Sequence, residues 1–229
     1  MMFLQRRITV FAGHYGSGKT NLSVNYALQL SRAGNKVMVL DLDIVNPYFR
    51  TKDSLELFAR EGIRLITSDY ANTNVEAPSI APDSYAAFDS HDSHVVIDVG
   101  GDDAGAVALG RFQDRFSPEE LQMILVYNPY RLQTQTVADT LPLIQSIEQA
   151  SRMSFHGMVN NPNLGYETTA QTVVDSLPLA QELSRALGLP LYATAAKEAL
   201  APDLLHRVGN LWQISIYGRN QWSIYDNLS

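Results

Sequence analysis

The 229-residue chain carries 17 Lys and Arg against 24 Asp and Glu, a formal net charge of −7, and contains no cysteine. Disulfides, thiolate metal sites and cysteine-held iron–sulfur clusters within this chain are thereby excluded. The acidic balance disfavours a protein-wide nucleic-acid surface. A content of 45% hydrophobic and 18% charged residues is that of an ordinary folded chain, and the length suits one α/β domain over residues 1–229. MMFLQRRITVFAG has neither the apolar length nor the cleavage pattern of a signal peptide, and no run approaches the ~18 apolar residues of a membrane span. A soluble cytoplasmic protein without membrane attachment is expected.

Read in chain order, apolar runs suited to buried parallel strands recur throughout: ITVFA (8–12), KVMVLDL (36–42), HVVIDVG (94–100), LQMILVYN (121–128), FHGMVN (155–160) and LPLYAT (189–194). Helix-like segments separate most of them. GKTNLSVNYALQLSRAG sets Leu22, Tyr26, Leu28 and Leu30 near one face and closes on Gly34 as its C-terminal stop. QTQTVADTLPLIQSIEQASR and TAQTVVDSLPLAQELSRALG have helical spacing, with Pro142 and Pro178 as points where each can kink or break. Right-handed strand–helix–strand crossovers then predict an α/β fold of three layers, a mostly parallel sheet with helices on both faces. Segment 68–94, rich in Ser, Asp, Asn and Pro, resists this pattern. Within it, SYAAF is the candidate for a short helix.

The first strand runs into GHYGSGKTN, residues 13–21. Gly13, Gly18, Lys19 and Thr20 fill every specified position of the phosphate-loop pattern, with a strand before it and a helix after it. Glycines let backbone N–H groups turn inward around phosphates. Lys19 is expected to neutralise the β- and γ-phosphates and the Thr20 hydroxyl to ligate Mg²⁺. The helix opening at Gly18 points its positive end at the same anions. The whole stretch, Gly13, His14, Tyr15, Gly16, Ser17, Gly18, Lys19, Thr20 and Asn21, is the candidate nucleotide-binding loop. VLDLDIVNPYFR places Asp41 and Asp43 at the C-terminal end of the second strand. VVIDVGGDD places Asp98 and Gly101 at the end of the third. Ligands of open α/β sheets gather at that edge.

GHYGSGKT, then DLD, then DVGG, in that order, resembles the MinD/ParA/nitrogenase iron protein class of P-loop ATPases. The resemblance covers the nucleotide-facing segments and the strand order over most of the chain, but not segment 68–94 or the C-terminus. It implies ATP or ADP with Mg²⁺ as ligands. By motif position it implies that Asp43 orients the attacking water, and that Lys19 serves the same chemistry. Thr20, Asp98 and Asp43 stand on the metal side, and the Gly101 N–H meets the γ-phosphate. FHGMVNNPN resembles the strand whose terminal asparagine reads adenine, which points to Asn161 with Asn160 beside it. No [NT]-K-x-D guanine-reading motif appears in the sequence, so ATP is favoured over GTP.

The departures are specific. Members that dimerise around ATP carry a signature lysine that crosses to the partner's phosphates. Here that position is His14, followed by Tyr15 where a glycine is usual. An imidazole with an ordinary pKa near ~6.5 is mostly neutral at pH 7. It either shapes the loop or becomes cationic beside a triphosphate. Asn46, Pro47, Tyr48, Phe49 and Arg50 stand where a switch segment belongs. They read either as an Asn-Pro turn with packed aromatics or as a nucleotide-sensitive surface, with Arg50 or Lys52 as a substitute cation. His91 and His94 lack a third ligand for a metal. Asp102 and Asp103 read as caps of the helix DAGAVALGRF. The C-terminal LWQISIYGRNQWSIYDNLS reads as packing rather than a membrane helix.

The expected function is an ATP-binding P-loop protein with slow Mg²⁺-dependent hydrolysis. It would act as a nucleotide-gated accessory or maturation switch for an unidentified protein client, with an ATP-dependent homodimer as one option. The alternative is an ATP-dependent small-molecule enzyme of the dethiobiotin synthetase or cobyrinic acid amidating type. A ParA-like DNA-partition role is disfavoured by charge.

Overall fold

The protein is described by a computed structural model over residues 6–43, 52–67, 82–101, 103–115 and 117–217. Residues 44–51, 68–81 and 102, which include Asn46 to Arg50 and Asp102, lie outside the described residues, as do the side chains of Lys52 and Asp103. In chain order the elements are β1 (Ile8–Ala12), α1 (Lys19–Arg32), β2 (Val37–Leu42), α2 (Lys52–Arg60), β3 (Arg64–Thr67), α3 (Pro82–Asp89), β4 (His94–Val99) and α4 (Asp103–Gly110). There follow β5 (Leu121–Tyr127), α5 (Val137–Ser151), β6 (Gly157–Asn160), α6 (Ala170–Asp175), α7 (Leu177–Leu187), β7 (Leu191–Lys197), α8 (Ala201–Leu204) and β8 (Leu211–Ile214).

The strands form one eight-stranded sheet in the order β3–β2–β4–β1–β5–β6–β7–β8, and every pairing is parallel. The period of two along each strand divides the core into two layers. In β1, Ile8, Val10 and Ala12 face a cluster completed by Leu109, Phe112, Ile144 and Leu183 from α4, α5, α7 and the turn after α4. Phe11 faces the other way, into a cluster with Leu22, Leu28, Phe58 and Trp212. Helices therefore cover both faces, and β1, β2 and β5 are buried along their whole length. The continuous apolar character of these runs follows from that double cover.

All six strands expected from sequence are present. β3 and β8 are additional edge strands of four residues each, with half-exposed patterns. SYAAF lies inside α3, as expected. The single helical run 169–188 divides at Ser176 into α6 and α7, with Pro178 in the first turn of α7, where its missing N–H removes no helical bond.

Of the C-terminal segment, residues 211–217 pack by a definite mechanism, and residues 218–229 lie outside the described residues. Trp212 on β8 stacks against Phe11 with ring centroids 6.5 Å apart. Two asparagines on the outer face of α1 then grip the chain after β8. The Asn25 amide donates to the Ser215 carbonyl at 2.8 Å, and its carbonyl accepts from the Ser215 N–H at 2.9 Å. The Asn21 amide donates to Ser215 at 3.1 Å, and its carbonyl accepts from the Tyr217 N–H at 2.9 Å. Asn25→Ala removes both of its bonds to Ser215 and is expected to lower unfolding stability by about 1–3 kcal/mol. Urea denaturation reads this directly; an unchanged midpoint would show that water replaces the amide without loss.

Candidate nucleotide site

The site stands at the C-terminal edge of the sheet, where neighbouring parallel strands end together. β1 gives way to the loop 13–18, and Gly18, at φ 91°, caps α1, whose first residue is Lys19. Lys19 is buried, and its Nζ donates to the His14 carbonyl at 3.2 Å. β4 lies beside β1 with Asp98 level with Phe11, which delivers the Asp98 carboxylate to the first turn of α1. There the Thr20 hydroxyl donates to Asp98 at 2.6 Å and the Ser23 hydroxyl at 3.2 Å. β2 lies on the other side of β4, with Asp41 level with Asp98. Asp43 is one residue past the strand, and its N–H donates to the Asp41 carboxylate at 2.9 Å.

Gly101 closes the ring. A Cβ there would stand 2.5 Å from the Tyr15 Cα, 2.7 Å from the Tyr15 nitrogen and 2.9 Å from the Lys19 Nζ. Only glycine lets the segment after β4 approach the loop and its lysine this closely. Lys19, Thr20, Asp98 and Gly101, taken from two distant parts of the sequence, are thus brought together.

Asp98 is 0% exposed, and burial pushes its carboxyl up to about 7, against the Thr20 hydrogen bond and the Lys19 charge, which favour ionisation. The nearby Asp43 carboxylate raises it further. A buried carboxylate holding a threonine hydroxyl, with Asp43 close by, fits a magnesium ion, whose charge would offset the lost solvation. Among the described residues, no three His, Asp or Glu side chains gather into an all-protein cage. A Mg²⁺ here would therefore take phosphate and water oxygens as its remaining ligands.

Three expected ligands have surroundings of their own within the chain. The His14 side chain lines a cavity of about 10 Å³ bounded by Leu125, Tyr127, Thr140 and Ile144, in its own subunit. Its Nδ1 and the Ser17 Oγ, which lines the same cavity, are buried without protein partners. His14 itself is half-buried, between that cavity and the exposed Tyr15. Asn21 has its side-chain carbonyl and amide engaged by Tyr217 and Ser215, so it ties α1 to the C-terminal segment. Asn161 is 3% exposed; its amide donates to the Ser17 carbonyl at 2.6 Å, bracing the loop, and the residue also lines a small cavity with Asn163, Thr168 and Lys197. Asn160 turns to the other side and donates to the Ser176 hydroxyl at 2.8 Å. Tyr15, by contrast, is 65% exposed at the rim.

Sequence reasoning missed Arg131, in the turn after β5, whose Nε donates to the Gly16 carbonyl at 2.8 Å. His91 and His94 lie at the opposite edge of the sheet, before and at the start of β4; His91 is 3.5 Å from Glu120.

This parallel sheet, with a phosphate loop between β1 and α1, is the α/β P-loop NTPase fold, and solved structures share it. The cell division protein FtsY of Thermotoga maritima matches with a TM-score of 0.58 at 15% identity, over 84% of this chain and 62% of that one. The 54 kDa signal recognition particle protein of Aeropyrum pernix K1, solved with GDP, matches with a TM-score of 0.52, over 83% of this chain and 41% of that one. A nucleotide-binding protein of Archaeoglobus fulgidus, in complex with ADP and with Co found, has a TM-score of 0.50 at 19% identity, over 82% and 80% of the two chains. The chain thus spans about three fifths of the length of FtsY. These likenesses support the P-loop NTPase fold without singling out the MinD/ParA branch. No family model matches the sequence, and no curated protein does.

Proposed function

We propose that the protein binds a nucleoside triphosphate with Mg²⁺ and hydrolyses it slowly, switching its surface for a protein client. The observation that carries this is the convergence of Lys19, the Thr20–Asp98 pair and Gly101 on one phosphate loop. Lys19 and the loop N–H groups hold the phosphates, and Thr20 and Asp98 hold the ion that shields their charge. Asp43, at the end of β2, positions the attacking water. ATP is the favoured nucleotide because the sequence has no [NT]-K-x-D motif; a competition assay in which GTP displaces ATP equally well would overturn that preference. A triphosphate-dependent homodimer belongs to the same reading, without a cation crossing from His14.

Asp43→Ala is expected to keep triphosphate affinity and slow single-turnover hydrolysis by about a hundredfold, the loss of a water-positioning group. Rates equal to those of the wild type would mean that another residue organises the water. Product analysis separates a switch from a small-molecule enzyme. Free phosphate and diphosphate support the switch, whereas a phosphorylated or ligated metabolite overturns it.

A further inference from the structure

The turn joining β5 to α5 is fixed from several sides. The Asn128 carbonyl group accepts from the Tyr130 N–H at 3.1 Å, and its amide donates to the Asn163 backbone at 3.0 Å. The Thr134 hydroxyl donates to the Asn128 backbone carbonyl at 2.6 Å, and the Thr134 N–H to the Arg131 carbonyl at 2.9 Å. The Tyr130 hydroxyl reaches α6, donating to the Thr172 carbonyl at 2.7 Å. Arg131 thus projects from a braced platform whose next residue, Leu132, is 83% exposed.

From there its side chain returns to the phosphate loop. The Nε donates to the Gly16 carbonyl, and a Cβ at Gly16 would lie 3.2 Å from that Nε and 3.5 Å from the guanidinium carbon. Gly16 also has φ 72°, a backbone conformation that favours glycine, and a Cβ there would crowd the Arg131 side chain. One carbonyl uses one of the five guanidinium N–H donors, and four remain. Among the described residues, no carboxylate pairs with Arg131. The ion pairs among them include Arg7 with Glu120, Arg32 with Glu61 and Lys36 with Asp92. The guanidinium stands beside the middle of the loop, one residue from the point where Tyr15, Gly101 and the Lys19 ammonium meet. A planar, permanently charged fork suits phosphate oxygens better than it suits a single backbone carbonyl.

We propose that Arg131 is a second nucleotide cation, whose remaining N–H groups contact the terminal phosphate oxygens of a bound nucleoside triphosphate. It supplies within one subunit the charge that His14 does not carry outward. This rests on the nucleotide-binding reading given above.

Calorimetry with ATP and ADP on the full chain tests it, using Arg131→Ala, Arg131→Gln and Arg131→Lys. Glutamine keeps an N–H for the Gly16 carbonyl but no charge; lysine keeps the charge. The expected result is about a tenfold to hundredfold loss of ATP affinity in the alanine and glutamine variants, the scale of lost charge-assisted bonds. ADP affinity should change less than about threefold, and lysine should recover part of the ATP loss. Equal weakening toward ATP and ADP, with glutamine restoring both, would make Arg131 a strut for the loop and overturn the proposal. Unchanged affinities in all three variants overturn it as well. If the wild type binds neither nucleotide, the nucleotide reading itself fails. If the wild type binds and the variants match it, only the role of Arg131 fails. Equal thermal midpoints across the variants establish that each is folded.

Discussion

Lys19→Ala is expected to weaken binding of a nucleoside triphosphate by roughly a thousandfold. Lys19 lies buried at the start of α1, with its Nζ between the His14 carbonyl and Gly101. A cation held in place there makes charge-assisted bonds to phosphate that alanine cannot replace. Two such bonds at about 1.5–3 kcal/mol each account for the expected loss. Lys19→Arg should not rescue it, because Gly101 has been brought within a methyl group's reach of the ammonium and leaves no room for a guanidinium fork. Calorimetry with ATP and GTP on both variants, alongside far-ultraviolet dichroism, is the measurement. Wild-type affinity in Lys19→Ala would remove the loop from the binding reaction altogether.

The second large effect concerns Asp98 and pH. Its carboxyl is raised from an ordinary 3.8 to about 7 in the folded chain, chiefly by burial. Between these values the folded state holds a proton that the unfolded chain has released, so stability falls as pH rises from about 4 to about 7 and then levels off. Three pH units of displacement correspond to about 4 kcal/mol. Asp98→Asn carries no titrating carboxyl at this position. The stability of the variant minus that of the wild type should therefore climb by about 4 kcal/mol from pH 4 to pH 8 in the absence of nucleotide and metal. Taking the difference cancels the opposite contributions of Glu61, Asp92 and Glu120, whose pKa values are lowered by Arg32, Lys36 and Arg7. Denaturant unfolding across that range measures it. A flat difference would mean that Asp98 stays ionised throughout. Mg²⁺ with nucleotide should then stabilise the wild type far more than Asp98→Asn at pH 8, since the ion offsets the buried charge that the variant lacks.

The sequence made the centre of this molecule legible and its edges obscure, for physical reasons. Strands such as VMVLDL and LQMILVY are buried on both faces, so they appear as unbroken apolar runs. RLIT and LWQI are four-residue edge strands exposed on part of their surface, too short and too mixed to stand out. The phosphate loop and Asp98 were readable because the chemistry fixes residue types at short spacing. Arg131 was not, since its contact is with a backbone carbonyl 115 positions away, and a carbonyl leaves no trace in residue type. Asn21 is the opposite case. It adjoins the motif, yet its side chain answers to Ser215 and Tyr217, 194 and 196 positions later.

That last contact makes the opening turns of α1 carry two loads at once. Its first turn carries Lys19 and Thr20 at the candidate phosphate site, while Asn21 in that same turn and Asn25 one turn further on hold the backbone at 215–217 as another strand would. A rigid helix transmits displacement along its axis, so a ligand that draws the first turn toward the phosphates also pulls on the tail, and force applied to the tail pulls back on the loop. A fusion or tether placed just after Tyr217 is thus mechanically joined to the nucleotide end of the molecule, and slowed amide exchange at Ser215 and Tyr217 becomes a gauge of occupancy, 194 and 196 positions along the chain from Asn21 beside the loop.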